Sequence, residues 1–172
     1  MNAMEAIEAI LTRRSIRSYT DKPIDDHLLQ TILEAGFSAP SAGNQQPWHF
    51  VLLDDKTLFE NILTFHPHAH MLSEAQKAIL VCGDLNLEKF KGYWMLDCSA
   101  ATQNMLLAAH ASGIGSCWLG IYPREDRIIK MRELLNMPSH VVPFSLISLG
   151  YPAEQKGMEN RYSQARIHYN AW

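Results

Sequence analysis

Three short apolar runs, WHFVLL at 48–53, AILVCG at 78–83 and VVPFSLISLG at 141–150, are separated by stretches whose apolar residues recur at helical spacing. A run of this length is a strand buried on one or both faces. The helical stretches between them follow no regular strand–helix repeat, so the pattern predicts an α+β fold rather than a doubly wound parallel sheet. Met4, Ile7, Ile10 and Leu11 predict an amphipathic first helix that ends in the basic cluster RRSIR. Asp25 and Asp26 open a second helix, with Leu28, Leu29, Ile32 and Leu33 on one face and Gly36 near its end. Leu58, Phe59, Ile62 and Leu63 mark a third helix. The longest helical signal, alanine-rich, runs from about Tyr93 to Ser112 and is broken by Gly113. GSCWLGI reads as a further strand or strand end. Ile128, Ile129, Met131, Leu134 and Leu135 mark the last helix.

With 172 residues, the chain is long enough for one compact domain with a real core and short for two. Its 47% hydrophobic and 19% charged composition is that of a globular protein. A net charge of −3 argues against a nucleic-acid or membrane-surface binder. The N-terminal MNAMEAIEAILTRR has no positive leading region, and Glu5 and Glu8 break its apolar run, so it is not read as a signal peptide. No stretch approaches the ~18 apolar residues of a spanning helix, and a cytoplasmic protein is expected. Cys82, Cys98 and Cys117 are widely spaced, odd in number and set in apolar sequence, which predicts buried free thiols in a reducing compartment.

Several chemistries lack their signatures. Gly113 and Gly115 are followed by Ser116, Cys117 and Trp118, so the dinucleotide fingerprint misses its third glycine. There is no P-loop, HExxH, paired CxxC or GxSxG. His66, His68 and His70 alternate in a way that suits a metal, but no carboxylate or cysteine stands at ligand spacing and Pro67 signals a loop. A solvated loop is expected there, and no metal.

Arg13, Arg14 and Arg17, with Ser15 between them, place three guanidinium groups within five residues. Such forks match phosphate oxygens; equally, they suit the C-terminal end of a helix. In PSAGNQQPWHF, the residues Ser41, Asn44 and Gln46 offer hydroxyl and amide groups on a loop stiffened by Pro40 and Pro47. That set suits a heterocycle with alternating carbonyls and ring nitrogens, or a plain polar connector. In GIGSCWLGI the glycines 113, 115 and 120 permit close backbone approach. The tail from Pro152 to Trp172 is polar and aperiodic, yet keeps Tyr162, Ile167, Tyr169 and Trp172. It reads either as a strap over its own domain or as an arm around a second subunit.

Four stretches, RRSIRSY, EAGFSAPSAGNQQPWHF, CSAATQNMLLAAHASGIGSCWLGI and LGYPAEQK, together resemble the nitroreductase family of FMN enzymes in its short, NADH-oxidase-like branch. They span nearly the whole chain in the family's order. The resemblance implies an α+β, nitroreductase-like fold over residues 1–172: a central mixed, mainly antiparallel sheet flanked by helices. It further implies a homodimer in which an arm, about 152–172, is exchanged onto the partner, with two FMN sites each built from both chains. In that scheme Arg13, Arg14, Ser15 and Arg17 hold the phosphate, ribityl chain and pyrimidine edge. Pro40, Ser41, Ala42, Asn44 and Gln46 reach the flavin of the other subunit. Trp118, Leu119 and Gly120 lie along the isoalloxazine, with a backbone N–H near N5, and Arg161 closes on the phosphate.

One departure is Glu159, which stands where larger members often carry a lysine, and a carboxylate does not hold phosphate. The middle region, roughly His66 to Gly92, is also short and leaves little chain to cover a flavin. The implied activity is two-electron transfer from NADH or NADPH to a small planar acceptor, a nitroaromatic or quinone, in ping-pong order. No catalytic side chain is assigned. The alternatives are a flavin-binding sensor or FMN store with little turnover, and a metal-binding protein that uses the His66–His70 loop.

Overall fold

The computed structural model describes residues 4–172; Met1, Asn2 and Ala3, the start of the segment read as lacking a leader, lie outside the described residues. Five α-helices and four strands follow in the order α1 (Ala6–Thr12), α2 (Asp26–Phe37), β1 (Trp48–Leu53), α3 (Lys56–Phe65), β2 (Lys77–Asp84), α4 (Trp94–Ala111), β3 (Gly115–Gly120), α5 (Glu125–Leu135) and β4 (Val141–Gly150). The three apolar runs and GSCWLG each form a strand. The sheet has the order β1-β2-β4-β3 and is antiparallel across every pair. The expected mixed character reduces, among the described residues, to one isolated parallel bridge between Ser15 and Ser116.

β2 and β4 are central and buried almost throughout, which is why they read as continuous apolar runs rather than alternating ones. α4 crosses the sheet and also packs on α2. Its Cys98, Ala101, Thr102, Met105 and Ala109 are buried, and all but Met105 are small side chains that let the helix approach both neighbours. Where α4 meets β4, the Thr102 and Ser145 hydroxyls satisfy each other at 2.9 Å. α2 and α3 start where the carboxylates of Asp25 and Asp55 accept from the backbone N–H two residues on.

Cys82, Cys98 and Cys117 are free and buried, as expected. Burial pushes the Cys82 thiol up to about 12. The amphipathic first helix is shorter than its periodicity suggested, and Ile7, Ile10 and Leu11 lie exposed while only Ala9 is buried. The tail is pinned at its root, where Tyr19 bridges Pro152 and the Ala153 N–H donates to the Ser18 carbonyl. Beyond it, Met158, Tyr162, Tyr169 and Trp172 all project into solvent, so this tail does not strap its own core. Among the described residues no helix is long and apolar enough to cross a membrane.

Candidate functional site

α1 ends at Thr12, and the chain leaves it extended, so Arg13, Arg14, Ser15 and Arg17 run alongside the start of β3. The Ile16 N–H donates to the Ser116 carbonyl at 2.9 Å and fixes the register. Gly115 is required here: a Cβ on it would stand 2.9 Å from Ile16 Cγ2. The root of the tail closes the other side. Arg14 Nε donates to the Gly157 carbonyl at 2.9 Å, Lys156 Nζ to the Ser15 carbonyl at 2.9 Å, and the Arg17 N–H to Glu154 at 2.6 Å.

Arg13, Arg14, Ser15, Arg17, Lys156, Glu159 and Arg161 therefore line one polar cleft of about 410 Å³. Burial, then the neighbouring charges of Arg14 and Arg161, push Arg13 below the ordinary arginine value. Arg14 Nη2 is buried without a hydrogen-bond partner, a desolvated cationic donor that a nearby anion stabilises. Five cations thus converge on the cleft. Glu159 occupies Arg161 through hydrogen bonds of 3.0 and 2.6 Å, and that partner holds the Glu159 carboxyl below the usual carboxylate range. The cleft fits a phosphomonoester, with Arg161 engaged elsewhere in this arrangement. Lys156 was not singled out from the sequence, although it closes the LGYPAEQK stretch.

The loop Pro40–Gln46 is built differently and does not line this cleft. It turns through a 3-10 segment, Ala42–Asn44, with Gly43, Asn44 and Gln46 at φ of 52°, 54° and 47°. Gln46 N–H donates to Ser41 Oγ at 3.0 Å, and the Gln46 side chain donates to Asn44 Oδ1 at 3.0 Å. Its anchor is Asp97 on α4, which accepts from the Ala42 N–H at 2.9 Å and from Gln45 Nε2 at 2.6 Å. Neither Asp97 nor Gln45 was foreseen. The available signal is that Asp97 is the one acid in this alanine-rich helix.

Trp118, Leu119 and Gly120 form the outer half of β3, paired with β4. Trp118 packs edge-on against Phe144. The Gly120 carbonyl accepts from Arg127 Nη1 at 2.7 Å and lies 3.1 Å from His66 Nε2. The expectation of a solvated histidine loop needs correcting at His66, which is buried beneath this strand end; His68 and His70 are exposed. Among the described residues no group of three His, Cys, Asp or Glu side chains is placed to hold a metal ion.

The sequence model of the nitroreductase family matches residues 10–151. The "Putative NADH dehydrogenase/NAD(P)H nitroreductase" of Methanothermobacter thermautotrophicus is 46% identical over 172 residues, covering 100% of this chain and 90% of that protein. A crystal structure of a protein of the same name from Parabacteroides distasonis matches with a TM-score of 0.94 at 39% identity, over 97% of this chain and 98% of that one. The structure of an "FMN-dependent Nitroreductase" from Clostridium difficile matches with a TM-score of 0.89 at 30% identity, over 96% and 99% of the two chains.

Proposed function

The chain belongs to the nitroreductase family, and on that premise we propose that it is an FMN-dependent NAD(P)H oxidoreductase working as a homodimer on a small planar acceptor. The observation that carries this reading is the cation cleft with its unpartnered Arg14 Nη2. A terminal phosphate supplies oxygens for several donors at once, and the crowded guanidinium groups are stabilised by its charge. The chemistry that FMN supplies when bound is reversible two-electron transfer.

In this reading Arg13, Arg14, Ser15 and Arg17, joined by Lys156, bind the phosphate, ribityl chain and pyrimidine edge, and Arg161 closes on the phosphate. Trp118, Leu119 and Gly120 lie along the ring system and align it through a backbone N–H. Pro40, Ser41, Ala42, Asn44 and Gln46 serve the partner's site, which accounts for a structured polar loop that does not line the cleft of its own chain. Ile7, Ile10 and Leu11 and the aromatic side chains of the 152–172 arm are covered by that partner. Water delivers the proton, and no side chain acts as general acid or base. The nicotinamide leaves before the acceptor, a nitroaromatic or quinone, takes the same face. Free buried thiols suit a cytoplasmic setting.

The test is an absorption spectrum of the purified protein before and after anaerobic NADH or NADPH, with the released cofactor identified. A yellow protein that bleaches supports the oxidoreductase. Yellow without bleaching by either donor points to the sensor or store. A colourless protein that takes up no added FMN refutes the reading.

A further inference from the structure

Asp97 is a carboxylate 4% exposed, in the first turn of α4, and no cation pairs with it among the described residues. Burying an acid without a counter-charge is costly, and an apolar side chain would pack such a position more simply. Both its oxygens are nonetheless used: Oδ1 accepts from the Ala42 N–H and Oδ2 from Gln45 Nε2. Gln45 is itself buried, and its Oε1 accepts from the Lys89 N–H at 2.8 Å and the Phe90 N–H at 3.1 Å. The two backbone donors fix which end of the amide is oxygen, so Nε2 must face Asp97. One amide and one carboxylate thus tie three separate segments together: the 41–46 loop, the 89–90 backbone and α4.

What this tie maintains is an unfavourable local shape. Asn44 and Gln46 both sit at positive φ, in the left-handed region that a side-chain-bearing residue disfavours. The loop keeps that shape only while its surroundings over-determine it. The Phe90 ring also lies against Gly43, where a Cβ would come within 2.2 Å of it.

We propose that Asp97 and Gln45 are a positioning pair that holds the Ser41–Gln46 loop in the conformation that binds flavin across the dimer. This rests on the FMN reading above and adds two residues that do not themselves touch the cofactor. The pair is directional. Replacing the acid by an amide turns an N–H₂ group towards the Gln45 N–H₂, and replacing the amide by an acid sets two carboxylates face to face. Making both changes restores complementarity. The introduced amide accepts from Ala42 and donates to the introduced carboxylate, whose second oxygen still receives Lys89 and Phe90.

The experiment uses the full chain: wild type, Asp97→Asn, Gln45→Glu and the double variant. FMN affinity is measured by titrating apoprotein, and the visible circular dichroism of the bound flavin reports the asymmetry of its surroundings. Each single variant is expected to weaken FMN binding about tenfold or more, the scale of one lost charge-assisted hydrogen bond, and to alter the visible dichroism. The double variant is expected to recover both to near wild type. Single variants that melt earlier yet bind FMN with wild-type affinity and dichroism would reduce the pair to a fold anchor and overturn the proposal. So would a double variant no better than the worse single one. Should the single variants not fold, the double variant decides alone: wild-type affinity and dichroism support the pair, and their loss overturns it. A wild type that takes up no FMN overturns the flavin reading and this proposal with it, whereas wild-type binding with unaffected variants overturns only the pair.

Discussion

Arg127 donates from Nη1 to the Gly120 carbonyl at 2.7 Å, so the outer end of β3 is held by a guanidinium with no carboxylate partner among the described residues. The same guanidinium lies 3.3 Å from His66 Nε2. Burial first, and then the Arg127 charge, push the His66 imidazole below its ordinary value.

Stability should therefore fall as pH drops through the histidine range. A group with a depressed folded pKa binds fewer protons folded than unfolded, so its contribution is complete above the unfolded value of about 6.5 and is lost as pH falls below it. Arg127→Met should move the His66 titration upward and soften that loss, while costing about 1–3 kcal/mol at pH 8 through the missing hydrogen bond. Imidazole proton NMR and urea melts at pH 8 and 5.5 check both parts. A variant in which His66 titrates lower than in the wild type contradicts the arrangement.

Arg14→Met should weaken FMN binding by about ten- to a hundredfold, because it removes a charged, already desolvated donor group from the lining of the cleft. Glu159→Gln should act in the opposite direction. It releases Arg161 and removes a negative charge from the rim, so affinity should rise up to about fivefold and depend more steeply on salt. Fluorescence titration at two ionic strengths reads both variants, and equal or weaker binding by Glu159→Gln would show that Arg161 has no part in the site.

Gly43→Ala combines a left-handed backbone with a direct clash on Phe90. It should cost at least about 1 kcal/mol in chemical denaturation. Gly113→Ala shares the positive φ but meets open space, so it should cost less. If the two losses are equal, the Phe90 contact carries no weight.

A chain ending at Gly157 retains every buried residue of the core. It should stay folded by far-UV circular dichroism, yet sediment as a monomer and fail to retain FMN. A truncated protein that remains dimeric and yellow would falsify the exchanged arm.

Most elements were legible because each announces itself locally. The four strands are short apolar runs, and α2 carries its own capping Asp25. Partners distant in sequence were not legible. Asp97 lies 52 residues from Gln45, and nothing in PSAGNQQP says which helix anchors it. Pro67 interrupts the segment and suggests a solvated His66, whereas the folded chain brings it against Arg127, 61 positions later. The α1 pattern correctly marked Ile7, Ile10 and Leu11 as one apolar set, but periodicity does not state whether the same chain covers them. The arginine cluster was plain from composition, whereas Lys156 entered it only once the tail root folded back beside Ser15.

That fold-back has a consequence in time. The bond from Arg14 to the Gly157 carbonyl spans 143 residues, so Arg14 leaves the ribosome well before the residue that accepts from its Nε. At roughly 5–20 residues per second, the delay is on the order of ten seconds. The sheet is complete in sequence at Gly150, before the residues that close the cleft have been made. A nascent chain can thus possess its whole sheet and still lack the cleft, so the crowding of cations there arises only after the sheet has been made.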